Sequence, residues 1–154
     1  MAEPNRRTVR VVAALIFRGD AVLAQQRRAG TRHALLWEFP GGKIEPGESA
    51  PDALVRECRE ELAVEIGVEH LFERVCHAYP DFDIELSLYR AKILSGEIQN
   101  LQAADVRFVP LNELSRLPFT EADRPFVARL EARARRAHGG GDAKGEEGST
   151  PTVA

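Results

Sequence analysis

The chain has 154 residues and a formal net charge of −3, with 44% hydrophobic and 29% charged residues. This length suits one domain that buries its own core, and the composition is that of a globular protein. The charge excludes the basic face that binding to duplex nucleic acid requires, so a substrate with several phosphates would need positive charge from another source, such as a metal ion. The apolar run 11–17 is too short to span a bilayer, and residues 1–7 lack the apolar core of a signal peptide. We therefore expect a cytoplasmic protein without a membrane partner.

The pattern of apolar and turn residues predicts an α/β fold. Strands are predicted at 9–17, 21–27, 36–39, 71–79, 84–93 and 106–110. Ser49 is a suitable N-cap for a first helix that ends near Leu62, and a second helix opens at 120–123 and reaches about Ala137. Strands and two helices in mixed order favour a sandwich with a mixed β-sheet. We expect a flexible N-terminus over 1–8, one folded domain over 9–138, and a disordered tail over 139–154, which is rich in Gly, Ser and Thr.

One side of the first predicted helix is acidic. At 100° per residue, Glu57, Glu60 and Glu61 share one side, while an apolar stripe faces the core. Crowded carboxylates repel one another, and a hard cation reverses the sign of that interaction. Mg²⁺ suits such a helix because it keeps several waters and takes few protein carboxylates alongside phosphate oxygens. The alternative is an acidic face that is merely solvated; the upstream Gly-Gly-Lys and Glu48 favour the metal site.

The segment 41–64 resembles the signature of the Nudix hydrolase family. The signature is Gly, five residues, Glu, seven residues, Arg-Glu, an apolar residue, any residue, Glu-Glu, any residue, Gly and an apolar residue. The chain keeps every spacing, with Ala63 in the place of the second Gly. Its matching positions are Gly42, Glu48, Arg56, Glu57, Cys58, Glu60, Glu61 and Val64. Further segments resemble the MutT-like branch, so that the resemblance covers roughly 9–130: LLWEFPGGKIEPGES, YPD at 79–81, the Gly96-Glu97 turn, RFVPLNEL at 107–114 and PFTEADRPFV at 118–127.

The resemblance implies a Nudix-type α/β/α sandwich and a Mg²⁺-dependent enzyme, with Mn²⁺ as another possible ion. Such enzymes attack phosphorus with water, and a MutT-like member converts a nucleoside triphosphate to the monophosphate and pyrophosphate. The implied metal ligands are Glu57, Glu60, Glu61 and the backbone carbonyl of Gly42. Glu48 is implied to be a supporting carboxylate, and Arg56 to fix the glutamates.

Two departures from the family's pattern leave questions open. Ala63 stands where the helix would end in Gly, so either the strain of a left-handed Ala is borne or the helix end is rebuilt toward Gly67. MutT-like enzymes often carry a further Glu where this chain has Gln102, and Gln cannot act as a base. The residue that activates water is then Glu60, Asp105 or Glu48.

Several residues are candidates for substrate binding, each with a structural alternative. Arg27 matches a family position that reaches phosphates or sugar, or is an ordinary surface arginine. Lys43 follows the two glycines. Phe39 and Tyr79 offer aromatic surface to a base, with core packing the alternative for Phe39. Asp123 matches a position that hydrogen-bonds the base edge, or it caps the last helix.

Four functions remain open from the sequence. The first is removal of oxidised nucleotides such as 8-oxo-dGTP from the nucleotide pool, a role in DNA repair. The second is hydrolysis of CTP, dCTP or methylated cytidine nucleotides, and the third is hydrolysis of a nucleoside diphosphate sugar. The fourth is a nucleotide-binding module without turnover, which the intact glutamates disfavour and Gln102 favours. The expected partner is a nucleotide, and the expected protein is a monomer or a homodimer.

Overall fold

The computed structural model describes residues 6–141, with side chains up to Ala137. The elements follow in chain order: β1 (Thr8–Arg18), β2 (Ala21–Gln26), β3 (Trp37–Glu38), β4 (Gly41–Lys43), α1 (Ala50–Leu62), β5 (Glu65–Ala78), β6 (Asp83–Ser95), β7 (Asp105–Pro110), a 3-10 helix (Leu111–Arg116) and α2 (Arg124–Gly141).

The strands form one mixed sheet in the order β3-β2-β1-β6-β5. β1 and β6 pair in parallel over nine residues, and the other strand pairs are antiparallel. The short strand β4 pairs with the first half of β1, and β7 pairs with the whole of β2. β1 is therefore the central strand of the sheet, and β4 lies beside its residues 11–13.

The two helices cover opposite faces of the sheet. Ala13 and Leu15 of β1 point into a core that contains Phe126 and Leu130 of α2, whereas the even-numbered residues of β1 point toward α1. The alternation follows from the two-residue period of a strand. The α1 side is closed by Ala53, Leu54, Cys58 and Leu62. The predicted α/β/α sandwich with a mixed sheet is confirmed.

The structure differs from the predicted elements at several points. β4 and the 3-10 helix were not expected, since Gly-Gly is a poor strand sequence and pairs here because β1 lies beside it. β5 begins at Glu65 instead of residue 71, with register shifts near Val68 and Leu71 that interrupt the alternation. Thr8 belongs to β1, and α2 begins at Arg124.

The two predicted ends of the chain are only partly described. Helix α2 continues to Gly141, so residues 139–141 of the predicted disordered tail are helical. Residues 1–5 and 142–154 lie outside the described residues.

Helix α1 begins and ends with identifiable caps. The Ser49 hydroxyl accepts a hydrogen bond from the Asp52 N–H at 3.1 Å, which confirms Ser49 as N-cap. Ala63 adopts the left-handed conformation with φ 60° and ψ 34°, and its N–H donates to the Arg59 carbonyl at 3.2 Å. Of the two alternatives, the helix therefore bears the strain at Ala63, and Gly67 lies within β5.

The left-handed Ala63 predicts a stabilising substitution. Ala63→Gly removes the clash of Cβ with the backbone, so we expect the free energy of unfolding to rise by about 1 kcal/mol. Urea unfolding followed by circular dichroism measures it as a higher midpoint at an unchanged slope.

The matched control is Ala53→Gly, inside the same helix at a fully buried position. It should destabilise the protein, because it removes a buried methyl group and adds a flexible residue to a helix interior. Equal effects of the two substitutions would contradict the account of Ala63.

Candidate active site

A cavity of about 510 Å³ opens where β1, β3, β4 and α1 meet the segments 79–84 and 120–123. Its lining includes Glu57 and Glu61 beside β4, which we call the acidic end, and a second group of aromatic rings with a buried carboxyl group, which we call the aromatic end. The residues proposed from the sequence that line it are Arg27, Phe39, Gly42, Lys43, Glu57, Glu61, Tyr79 and Asp123. Glu48, Arg56, Glu60 and Asp105 do not line it.

The acidic end is built by α1 against β4. Glu57 has a side chain that is 15% exposed, and it packs directly on Gly42, where any Cβ would overlap its carboxyl group. Glu61 accepts a hydrogen bond from the Gly41 N–H at 3.2 Å. Gly41 itself lies so close to the Val12 carbonyl that a side chain would not fit. The two glycines are therefore needed because the backbone of β4 approaches both β1 and the carboxylates.

Among the described residues, Glu57 pairs with Arg56 at 3.1 Å, whereas Glu61 has no positively charged partner. Burial and the neighbouring carboxylates of Glu57 and Glu38 raise the pKa of Glu61 to about 8. Burial also raises the pKa of Glu57, against the opposing effect of Arg56. The carboxylates of Glu57 and Glu61, which we call the acidic wall, are hard oxygen ligands in a partly buried surface, and such a donor set fits a divalent cation. The Gly42 backbone lies beside these carboxylates.

The residues present fit a cation that is coordinated partly by the protein and partly by a bound substrate. Within the part of the chain that the structure describes, no group of three or more His, Cys, Asp or Glu side chains is arranged to hold a metal ion. Glu57, Glu61 and the Gly42 carbonyl would supply part of a coordination shell, leaving positions for water and phosphate oxygens. This incomplete protein shell is characteristic of Mg²⁺ in phosphate-handling sites.

Arg56 connects the loop before α1 to the glutamates. Its Nε and Nη2 donate to the two Glu48 oxygens at 2.7 and 2.9 Å, and its Nη1 donates to Glu57 at 3.1 Å and to Glu60 at 3.3 Å. Nη2 also donates to the Lys43 carbonyl at 3.1 Å. The guanidinium holds the pKa of Glu48 down at about 2. Arg56 therefore fixes Glu48 and Glu57 from outside the cavity.

The other proposed carboxylates lie away from the cavity. The Glu60 side chain is 49% exposed and turned toward Arg56. Asp105 is on β7, where its carboxylate pairs with Arg107 at 2.7 Å, so the structure does not bring it to Glu61 in the place of Gln102. Gln102 lines a smaller pocket of about 150 Å³ that also touches Glu61 and Glu38. The backbone N–H of Leu101 donates to the Glu61 carbonyl, which holds the Gln102 loop at the end of α1.

The rings at the aromatic end of the cavity pack against one another. Phe39 is 2% exposed and packs on Phe119 with ring centroids 5.3 Å apart. Tyr79 contacts the rings of His33 and Phe82 at 4.9 and 5.4 Å. Phe39 therefore packs in the core, which was one of its two alternatives, and both Phe39 and Tyr79 line the cavity.

The structure adds Glu38, which the sequence analysis missed. Its carboxylate lies in the cavity wall and accepts a hydrogen bond from Arg27 Nη1 at 3.1 Å. Arg27 also donates from Nε to the Arg32 carbonyl at 2.7 Å, so it is held on two sides and is not a free surface arginine. The sequence feature that could have identified Glu38 was a carboxylate on the strand shortly before Gly41-Gly42. The burial of Glu38, however, depends on the pairing of β3 with β2.

Asp123 is a buried carboxyl group directed into the cavity. It is 5% exposed, and Thr120 Oγ1 donates to its Oδ2 at 2.5 Å. Burial raises its pKa to about 8, reinforced by Glu38 and opposed by Thr120 and Arg27. Among the hydrogen bonds of residues 6–141, none runs from a backbone N–H to this carboxyl group. The geometry therefore does not support the alternative that Asp123 caps α2 with its side chain.

This combination of fold and site defines a Nudix-type hydrolase, and comparison with known proteins agrees. The model of the NUDIX domain matches residues 7–130. The chain belongs to the Nudix hydrolase family, in its MutT-like branch, as the resemblance of 41–64 implied. No helix in the described residues is both long and apolar enough to cross a membrane.

Two relatives and one solved structure illustrate the similarity. The CTP pyrophosphohydrolase of Escherichia coli (strain K12) is 35% identical over 119 residues, covering 77% of this chain and 88% of that protein. The 8-oxo-dGTP diphosphatase of the same organism is 35% identical over 106 residues, covering 68% and 82%. The solution structure of the E. coli ORF135 protein has a TM-score of 0.73 at 31% identity, covering 96% of this chain and all of that one.

Proposed function

We propose that the protein is a Mg²⁺-dependent nucleoside triphosphate pyrophosphohydrolase, which converts a (d)NTP to the (d)NMP and pyrophosphate and removes oxidised nucleotides such as 8-oxo-dGTP. The observation that carries the proposal is one cavity whose lining includes Glu57 and Glu61 together with Tyr79 and Asp123. Such a cavity holds the triphosphate against the acidic wall while the base reaches the aromatic end. The similarity to two nucleotide pyrophosphohydrolases supports the proposal.

In this proposal, the chain's own residues hold the ion and orient the phosphates. Glu57, Glu61 and the Gly42 carbonyl would bind Mg²⁺, which when present neutralises charge that develops on the phosphate oxygens. Arg27 and Lys43 line the same cavity and add positive charge toward the phosphates. Arg56 keeps Glu57 pointed at the cavity through the hydrogen bond at 3.1 Å.

The proposal also narrows the choice of the base that activates water. Glu48, with a pKa of about 2, is a weak base at neutral pH because Arg56 stabilises its charge. Asp105 is held by Arg107 away from the cavity. We therefore propose Glu60 as the general base that takes the proton from water. It is next to Glu61, and because its side chain is half-exposed it can turn to the rim of the site.

A panel of nucleotides tests the reaction. With Mg²⁺ present, we expect turnover of triphosphates with release of pyrophosphate, detected separately from phosphate. Glu57→Gln and Glu61→Gln should each lower kcat by about a hundredfold or more, because the amide loses the charge that holds the cation.

Glu65→Gln is the matched control, since Glu65 is an exposed glutamate that pairs with Arg59 just beyond α1. It should leave kcat unchanged. Near-normal rates in both cavity variants would contradict the metal assignment. If only a nucleoside diphosphate sugar is hydrolysed, with release of the nucleoside monophosphate, the protein is a nucleoside diphosphate sugar hydrolase. Metal-dependent binding of nucleotides without turnover would support a binding module.

The buried carboxyl of Asp123 favours a second candidate, CTP or dCTP. With a pKa of about 8, the group is neutral at pH 7 and offers one donor and one acceptor. Cytosine presents the matching pair, the N3 acceptor and the N4 amino donor. Ionised Asp123 offers two acceptors, which match the N1–H and N2 amino donors of guanine. The ionisation state of Asp123 therefore decides which base edge fits.

This chemistry predicts a pH-dependent preference. As pH rises from 6 through 8 to 9, Asp123 loses its proton, so the ratio of kcat/KM for dCTP over dGTP should fall by about tenfold or more, the value of one bidentate pair. Comparing the two substrates on one enzyme cancels pH effects that are common to both.

Asp123→Asn provides the control, because its amide always offers one donor and one acceptor. It should keep the preference of the low-pH enzyme and lose the pH dependence of the ratio. A ratio that is equally pH-dependent in the variant would show that another group reads the base.

A further inference from the structure

Gln25 lies directly behind the acidic wall and has no part in the function proposed so far. It is on β2, opposite Glu38 of β3 in the antiparallel register, and it is 4% exposed. Its Nε2 donates to Glu61 Oε1 at 3.2 Å and to Glu38 Oε2 at 3.4 Å. It does not line the main cavity, but it lines the smaller pocket of about 150 Å³ together with Glu61 and Gln102.

The amide of Gln25 turns its nitrogen toward the two carboxyl groups. The Oε1 atom of Gln25 is buried and has no hydrogen-bond partner among the described residues. A buried carbonyl without a partner costs stability. The reverse orientation would place this oxygen, instead of Nε2, beside the Glu61 and Glu38 oxygens and would remove both N–H···O hydrogen bonds. The amide therefore gives up a partner for its oxygen in order to offer one N–H to each carboxylate.

These contacts make Gln25 the link in a chain of hydrogen bonds across the site. At one end, Arg27 donates to Glu38 at 3.1 Å. At the other, Gly41 donates to Glu61 at 3.2 Å. Glutamine suits the middle position because a single nitrogen carries two donors and no charge. A lysine would add a positive charge beside both carboxylates, and an aliphatic residue would leave Glu38 with Arg27 and Glu61 with Gly41 but no hydrogen-bonded link between the two carboxylates.

We propose that Gln25 is a positioning residue, which holds Glu61 toward the cation and Glu38 toward Arg27 so that the cation site and the phosphate-facing arginine keep a fixed spacing. The inference rests on the proposed function, because it assumes that Glu61 binds the cation. Residues that orient a metal ligand in this way commonly change metal affinity by ten- to a hundredfold.

The test replaces the amide while keeping its shape. In Gln25→Met, we expect the affinity for Mn²⁺ alone, measured by electron paramagnetic resonance without nucleotide, to fall by about tenfold. The control is Gln26→Met. Gln26 is the next residue on β2, and its amide donates to the Leu35 carbonyl at 3.2 Å and to neither Glu61 nor Glu38. Its Mn²⁺ affinity should equal that of the wild type.

A second readout uses the wild-type protein and does not depend on the variant folding. The side-chain amide signals of Gln25 in a ¹⁵N–¹H spectrum should shift on addition of Mg²⁺, whereas those of Gln26 should not.

Gln25→Asn, which keeps the amide but shortens its reach, should weaken Mn²⁺ binding as Gln25→Met does.

The outcomes separate this inference from the proposed function. If Glu61→Gln weakens Mn²⁺ binding while folded Gln25→Met stays within twofold of the wild type, Gln25 has no positioning role and the inference is overturned. If Glu61→Gln itself leaves Mn²⁺ affinity unchanged, the proposed metal site fails first. Gln25 side-chain amide signals that do not shift in the Mg²⁺ titration would also overturn the inference.

Discussion

The rest of the site depends on the mutual repulsion of carboxylates held in a partly dry wall. Burial raises the pKa of Glu61, and the nearby carboxylates of Glu57 and Glu38 raise it further. Burial also raises the pKa of Glu57. A protein keeps such an arrangement only at a cost in stability. Because a divalent cation turns that repulsion into attraction, the wall is complementary to an ion and to the phosphates that accompany it.

The fold supplies the rigid parts that maintain this crowding. β4 is pressed between β1 and α1, and the two glycines allow its backbone to lie against the Glu57 carboxyl. Arg56 anchors the wall from the outer side, and Gln25 supports it from behind. At the aromatic end, β3 hydrogen-bonds the segment 118–120 through Trp37, which brings Asp123 to the same cavity. The site therefore joins parts of the chain that are distant in sequence.

The sequence predicted most of this fold and the acidic end of the site, because both depend on local patterns. Helical spacing placed Glu57 and Glu61 on one side, and Ser49 marked the start of α1. Sequence alone did not reveal Glu38 or Gln25, since their importance arises from the pairing of β2 with β3. It also did not show that Glu60 turns to Arg56 or that Asp105 pairs with Arg107, because side-chain partners decide those directions.

The most direct measurement is a crystal structure with Mg²⁺ and a nucleoside triphosphate analogue that has a non-hydrolysable α–β bridge. The account predicts metal density between the Glu57 and Glu61 carboxylates and the phosphates, next to the Gly42 carbonyl. It also predicts the base edge at the Asp123 carboxyl group. An analogue bound elsewhere, with the two glutamates facing empty solvent and no ion near them, would contradict it.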